Sequence, residues 1–149
     1  LPLAGGVGSR DGAARLASPA LGKVVGFKIG GKGELGTDES FPPDPTPVAD
    51  DFGSLAQIEH GRELFFNNCM VCHGDSAQSG GIVTDLRWAP APATKETFAE
   101  VVIGGKYATA GMASFAKVLT PDDVESVRAY IINRANEDAK AAAAAPAPN

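Results

Sequence analysis

The spacing of apolar residues between positions 54 and 69 predicts an amphipathic helix. Long or apolar side chains recur there at steps of three and four residues, the period of one face of an α-helix. Ser54 and Gln57 have the spacing of a capping box, so the helix is expected to begin at Leu55. Gly61 lowers helix stability, which indicates that another backbone approaches closely at that point. The stripe consists of Leu55, Ile58, Arg62, Phe65 and Cys69.

Two further helices are predicted in the second half of the chain. Thr94 is expected to cap a helix over residues 95–103 that stops at Gly104. Thr120 caps the last helix, and Pro121 occupies its first position, where a missing N–H costs nothing. The apolar stripe of this last helix consists of Val124, Val127, Tyr130 or Ile131, and Ala135.

The first fifty residues lack this periodicity and are rich in glycine and proline. Residues 23–29 form one short β-prone run, which needs a partner strand to be stable. Residues 41–48 are proline-rich, as is typical of an extended spacer; a surface loop wrapped on the following domain is the alternative. The pattern therefore predicts an extended appendage over 1–50, one helical domain over 51–140 and a flexible Ala/Pro tail over 141–149.

Charge and hydropathy exclude two classes of function. The formal net charge is −5 and no basic run is present, which argues against a nucleic-acid partner. No apolar stretch approaches the roughly 18 residues that a membrane-spanning helix requires, so no membrane span is expected. The chain shows no secretory signal and no initiating Met, and Leu1 is expected to be a processed or truncated start.

Cys69-Met70-Val71-Cys72-His73 carries the chemistry of the chain. Two thiols at this spacing, followed directly by a histidine, are the pattern of a covalent c-type haem attachment site. Cys69 and Cys72 would bond the two vinyl groups, and His73 would take one axial position on the iron. A thioredoxin-like pair lacks its βαβ context here, a structural zinc lacks a fourth ligand, and a plain disulfide gives the histidine no role.

Met112 is predicted to be the second axial ligand. It lies in a loop of small residues well after His73, and His/Met ligation gives a potential suited to electron transfer. The less favoured alternatives are Lys106 and Lys117, together with His60, which fits better as a solvated position on the first helix.

Arg87 and Trp88 are predicted to help bind the haem. The porphyrin carries two propionate carboxylates, which need hydrogen-bond donors when they are half buried, and both side chains can donate. A surface arginine and a packing tryptophan are the equally weighted alternatives.

The order of these motifs resembles class I cytochrome c. A closer resemblance, to the carboxyl-terminal cytochrome domain of quinohaemoprotein alcohol dehydrogenases, lies in GRELFFNNCMVCHG, DLRWAP, Gly111-Met112-Ala113-Ser114-Phe115 and LTPDDVESVRAYI. In that family pyrroloquinoline quinone (PQQ) sits in a separate eight-bladed propeller. The resemblance implies an all-α fold around one covalent haem c, with His73 and Met112 on iron. It also implies that Gly61 and Phe65 cross the last helix near Val127 and Tyr130.

The first fifty residues extend the resemblance. VVGFKIGGKGEL is similar to the closing strand of that propeller, and the proline-rich stretch is similar to the linker into the cytochrome. One position departs from the family, because Thr84 stands where a proline commonly precedes Asp-Leu-Arg. A proline carbonyl often holds the Nδ1–H of the axial histidine in class I cytochromes, so the carbonyl beside His73 could come from Thr84, Pro90 or Pro92.

Electron transfer is the expected function, because two protein ligands leave iron no open position. The domain by itself is not expected to be an enzyme. It would accept electrons from a PQQ dehydrogenase domain in the periplasm and pass them to a redox protein or ubiquinone. A freestanding soluble carrier and, less favoured, a gas-binding or peroxidatic haem protein are the alternatives. Lys106 and Lys117, with no acid in residues 101–121, predict a mildly positive, largely apolar surface for electron exchange.

Overall fold

Four helices make up the secondary structure of the domain in a computed structural model that describes residues 28–32, 47–79 and 83–144. They are α1 (Leu55–Asn68), α2 (Met70–His73), α3 (Lys95–Val102) and α4 (Pro121–Ala144). Single 3₁₀ turns at Ala91–Ala93 and Ala108–Ala110 lie in the connections. The described residues contain no strand, and the all-α class I cytochrome c fold that the resemblance implied is confirmed.

The predicted helix starts are confirmed by their caps. The Ser54 hydroxyl accepts from the backbone N–H three residues on at 3.2 Å, and the Thr94 hydroxyl does the same at 3.1 Å. At the start of α4, Thr120 N donates to Asp123 Oδ2 at 2.9 Å, and Asp123 N donates to Thr120 Oγ1 at 3.2 Å. This reciprocal pair satisfies two backbone donors at once, so the boundary is sharp.

Helices α1 and α4 cross at Gly61. A Cβ atom there would lie 1.9 Å from the carbonyl oxygen of Ser126 and 3.1 Å from Val127 N, so only glycine permits the approach. Next to the crossing, the rings of Phe65 and Tyr130 lie 5.3 Å apart at 53°, and Phe65 is fully buried. The helix crossing that the resemblance implied is therefore present.

The hydrophobic core lies where α1, α3 and α4 meet. Its members come from all three helices and from the connecting loops: Phe65, Ala77, Phe98, Val102, Leu119, Val124, Val127, Tyr130 and Ile131. The predicted stripe of α4 is buried as expected, including Ala135. Two positions correct the predicted stripe of α1, because Arg62 is exposed and Leu55 is 87% exposed. Leu55 lies at the end of the contact with α4. It is the first residue of that helix, whereas the contact with α4 is centred on Gly61 and Phe65.

The carboxyl-terminal end of the domain differs from the sequence-based boundary. Helix α4 runs to Ala144, so the first four residues of the predicted tail are helical, as the high helix propensity of alanine allows. Residues 145–149, like 1–27 and 33–46, lie outside the described residues, and so does most of the β-prone run. Of that run only Lys28 and Ile29 are described; Gly31 N donates to Lys28 O at 2.9 Å in a turn.

The segment before α1 packs along α4. Asn136 Nδ2 donates to the carbonyl of Ala49 at 3.0 Å, and the Arg128 guanidinium lies 4.0 Å from the centre of the Phe52 ring. Because Arg128 and Asn136 lie on different turns of α4, these two contacts hold the segment before α1 at two points along that helix.

Candidate haem site

The two cysteines and the histidine of the motif lie on one turn that follows α1. Cys69 N still donates to the carbonyl of Phe65 at 2.8 Å, so α1 carries the first thiol directly into place. The carbonyl of Cys69 then accepts from Cys72 N at 3.2 Å and from His73 N at 3.0 Å. Cys69 is half-buried and Cys72 is exposed, and the two thiols are not joined. The three side chains that the sequence predicts to hold haem therefore come from a single turn of the chain.

The chemistry of Cys69 fits a thioether better than a redox thiol. Burial raises the pKa of Cys69 to about 11, and charge on Cys72 acts in the same direction. A catalytic dithiol needs the opposite shift, because the thiolate is the nucleophile. The environment of Cys69 thus argues against the thioredoxin-like alternative.

His73 is held as a neutral imidazole. Its Nδ1 lies 3.1 Å from the carbonyl oxygen of Thr84, which can only accept, so Nδ1 carries a proton and Nε2 has the lone pair when the ring is neutral. Burial lowers the pKa of His73, while the bond to Thr84 and the charge of Asp85 act in the opposite direction. A neutral imidazole with an orienting carbonyl is the form in which histidine binds a metal.

The structure selects Thr84 among the three candidate carbonyls. The carbonyl of Pro90 accepts instead from Ala93 N at 3.0 Å, and that of Pro92 accepts from Arg128 NH1 at 3.0 Å. Replacement of the family's usual proline by Thr84 leaves this contact intact, because the histidine uses a backbone oxygen that every residue has.

Met112 lies in a loop that backbone bonds hold against α3. Met112 N donates to Tyr107 O at 3.1 Å, and Phe115 N donates to Val102 O at 2.8 Å. Gly111, directly before the methionine, has a φ of +98°, a conformation that glycine adopts without strain. Met112 itself is half-buried and packs against the hydrophobic core, which places its side chain at the boundary between core and surface.

Half-buried apolar side chains, two of them from the motif itself, pack against the core and match what a porphyrin requires. They pack against the same core as Phe65 and come from α1, α2 and the connecting loops: Leu64, Cys69, Met70, Leu86, Ile103, Met112 and Phe115. Together with two thiols and an imidazole, this set contains the groups that haem c requires for covalent attachment, a nitrogen ligand, a sulfur ligand and apolar contact. The residues present therefore fit haem c.

Arg87 has partners other than the predicted propionates. Its Nε and NH2 donate to the two carboxylate oxygens of Asp85 at 3.0 and 2.8 Å, and NH1 donates to Asp138 at 2.9 Å. Although desolvation acts to lower the pKa of Arg87, the bonds to Asp85 and Asp138 raise it, so the group stays charged. Its guanidinium carbon lies 5.1 Å from the centre of the half-buried Trp88 ring. Donation by Arg87 or Trp88 to the propionates stays a prediction.

Two of the alternative axial ligands have carboxylate partners. His60 Nε2 lies 3.2 Å from Asp123 Oδ1 at an exposed position of α1, and Lys106 Nζ lies 2.9 Å from Glu100 Oε2. The second pair also corrects the predicted charge of the surface near Met112. Glu100 lies one residue before the acid-free stretch 101–121, and it offsets Lys106.

Sequence reasoning missed the buried charges behind the motif. Asp85 and Arg87 are two residues apart in a loop, and Asp138 contacts Arg87 from the far end of α4. The sequence analysis singled out Arg87 and Trp88 in this region as donors to the propionates, and it did not predict that Arg87 pairs with Asp85 and Asp138. In the described parts of the chain, no three His, Cys, Asp or Glu side chains group as a further metal site, and no helix is long and apolar enough to span a membrane.

The sequence of this chain is similar to those of known cytochromes and dehydrogenases. Residues 56–131 match the family described as cytochrome c oxidase, cbb3-type, subunit III. The dehydrogenase subunit of a quinone alcohol dehydrogenase from Gluconobacter oxydans is 36% identical over 118 residues, which are 77% of this chain and 15% of that protein. Quinohemoprotein alcohol dehydrogenase ADH IIB from Pseudomonas putida is 32% identical over 141 residues, covering 90% of this chain and 20% of that protein.

A solved structure of a quinohemoprotein alcohol dehydrogenase is also similar to this chain. Quinohemoprotein alcohol dehydrogenase ADHIIG from Pseudomonas putida HK5 superimposes with a TM-score of 0.57 at 35% identity, covering 74% of this chain and 16% of that one. The chain thus spans about one fifth or less of the length of these relatives.

Proposed function

This chain belongs to the cytochrome c family that includes subunit III of cbb3-type cytochrome c oxidase, and from that membership we propose how it works. Cys69 and Cys72 would hold one haem c through thioether bonds, and His73 and Met112 would ligate its iron. The domain transfers electrons and does not itself oxidise a substrate. The observation that carries the proposal is the bond from His73 Nδ1 to Thr84 O, because it leaves Nε2 as the only nitrogen of that ring available to iron.

The bound haem would supply a one-electron couple. The chain's own residues would determine how that couple behaves. Cys69 and Cys72 would hold the porphyrin edge at the end of α1, while the Thr84 carbonyl fixes the tautomer and orientation of His73. Met112 would supply a thioether ligand to the iron, which would raise the potential and leave no open position for oxygen. Half-buried apolar groups of the site would exclude water from the ring.

We further propose that the electrons come from a PQQ dehydrogenase domain in the periplasm and pass to a redox protein or ubiquinone. Support comes from the relatives, which are named as quinone or quinohemoprotein alcohol dehydrogenases. The exposed loop around Met112 offers a small-residue surface on which Val118 is 65% exposed. Because Glu100 pairs with Lys106, Lys117 is the cation of this loop on which partner attraction would depend.

Covalent attachment and ligation can be tested together. The chain produced with c-type haem maturation should gain the mass of one haem that survives denaturation, and Cys69→Ser with Cys72→Ser should abolish the gain. The ferric protein should be low-spin with the weak near-infrared sulfur–iron band. A high-spin ferric spectrum would contradict the Met112 assignment and favour the gas-binding or peroxidatic alternative.

The donor is tested separately. A reduced PQQ alcohol dehydrogenase lacking its own cytochrome should reduce the ferric holoprotein in a stopped-flow experiment, and Lys117→Glu should alter the rate in a salt-dependent way. Failure of the wild-type protein to accept electrons from this donor would support the freestanding-carrier alternative.

A further inference from the structure

A chain of charged side chains connects α4 to the loop that follows the haem motif. Arg87 Nε and NH2 donate to Asp85 at 3.0 and 2.8 Å, and Arg87 NH1 donates to Asp138 Oδ2 at 2.9 Å. The other oxygen of Asp138 accepts from Arg134 NH2, and Arg134 NH1 donates to Glu137 at 2.7 Å. Asp138 is therefore the group that joins Arg87 to the rest of this chain of charges.

The inner part of this chain is shielded from water. The Asp85 and Arg87 side chains are 3% and 7% exposed, and Asp138 is 23% exposed. A buried ion pair in which one partner is removed leaves a charge without compensation, which is strongly unfavourable. The three side chains must consequently keep their arrangement together, and a change at Asp138 is felt by Arg87 and Asp85.

Asp85 directly follows the residue whose carbonyl contacts the axial histidine. Its Oδ1 also accepts from Arg87 N at 3.0 Å, so the carboxylate folds back onto its own loop. Leu86 N donates to Ala77 O at 3.1 Å and holds the next peptide. The peptide between Thr84 and Asp85 is thus fixed from its carboxyl side, and this fixes the direction of the Thr84 carbonyl.

We propose that Asp138 is a positioning residue for the axial histidine. Acting through Arg87 and Asp85, it holds the Thr84 carbonyl against Nδ1–H of His73 and so sets the strength of that bond. The inference rests on the proposed role of His73 as a haem ligand. A stronger Nδ1–H bond makes the imidazole a better electron donor and favours ferric iron. Weakening it raises the reduction potential.

Asp138→Asn in the holoprotein tests this, with Glu137→Gln as the matched control. Both substitutions remove one negative charge from the same turn of α4, but only Asp138 contacts Arg87. In Asp138→Asn, the Nδ1–H proton of His73 should exchange about tenfold faster. A factor of this size corresponds to the contribution of roughly one hydrogen bond, here the bond from Arg87 to the Asp138 carboxylate. Its midpoint potential should rise more than that of the control.

Equal Nδ1–H exchange rates and equal potentials in the two variants would overturn the proposal. If Asp138→Asn does not fold, Asp138→Glu replaces it in the test, because this substitution keeps the charge but moves the carboxylate. Exchange of the His73 Nδ1–H proton should then still be faster than in Glu137→Gln. An exchange rate equal to that of the wild type would overturn the proposal. The wild-type spectrum distinguishes the two levels of failure. If His73 is not a haem ligand there, the proposed function fails, and the positioning role of Asp138 fails with it.

Discussion

The two sides of the candidate haem site are held in different ways. On the histidine side, the loop carrying Thr84 is fixed by buried charges, with Asp85 and Arg87 nearly inaccessible to water. On the methionine side, residues 108–111 are exposed, and the loop is held by backbone bonds and by Ser114 Oγ, which donates to Ile103 O at 2.5 Å. Neutral bonds in water contribute less than charge-assisted bonds in the interior, so the methionine side is expected to open first.

The largest effect is expected on the histidine side. Arg87→Met would leave the buried Asp85 carboxylate without its counter-charge and Asp138 with Arg134 as its remaining cation, and should lower the free energy of unfolding by about 3–5 kcal/mol. The control is Arg62→Met, which breaks an exposed pair with Glu59 and should have a much smaller effect. Chemical denaturation of both holoproteins measures the difference; equal losses would refute the contrast between the two sides.

Met112→Ala should have the next largest effect. It removes the proposed axial ligand, which is a half-buried apolar group, and should lower the free energy of unfolding by about 2–3 kcal/mol, near the lower end of core methionine truncations. The low-spin His/Met spectrum should disappear and the reduction potential should fall. Denaturant titration followed by absorbance gives the stability and the spectrum, and redox titration gives the potential. A protein that keeps the sulfur–iron band after this substitution would exclude Met112 as the ligand.

Gly111→Ala should weaken the methionine side without disturbing the histidine side. A Cβ at Gly111 meets nothing within 4 Å, so the cost comes only from its φ of +98° and should be about 1–2 kcal/mol. Gly111→Asn is the control, since asparagine tolerates the left-handed region and should cost less. Equal costs for alanine and asparagine would show that the loop can shift to relieve the strain.

The smallest effect is expected at the start of α4, which serves as a reference outside both sides. Bonds from Thr120 Oγ1, Thr120 N and His60 lower the pKa of Asp123 below its ordinary value of 3.8. Because the folded pKa is the lower one, this cap stabilises the protein above about pH 4 and loses its effect as the pH falls through the folded pKa. Asp123→Asn should remove that acid dependence. A variant whose stability falls with acid as steeply as that of the wild type would show that the cap contributes nothing.

Sequence reasoning succeeded where the structural determinant is local. The helix starts at Leu55 and Lys95 follow from a capping residue and the backbone N–H it binds three residues later. Both partners of each cap are therefore close in sequence and can be identified from it. The close crossing at Gly61 was also predicted, because a glycine inside an amphipathic stripe lowers helix stability unless a second backbone needs the space.

It failed where the determinant is three-dimensional. The exposure of Leu55 depends on where α4 passes α1, and periodicity carries no such information. Asp138 reaches Arg87 only because α4 folds back over the loop, and the pairing of Lys106 with Glu100 spans the end of α3. The Thr84 carbonyl was one of three candidates, because every residue has a backbone oxygen and the residue type does not show which one contacts His73.

The attachment of residues 47–53 to α4 has a practical consequence for protein engineering. A truncated domain that starts at Pro47 retains the Ala49 carbonyl for Asn136 and the Phe52 ring for Arg128. One that starts at Ser54 keeps every helix but uncovers a strip of α4 that these groups protect from solvent. We therefore expect the shorter version to express with lower yield and a greater tendency to self-associate, although its haem motif is intact.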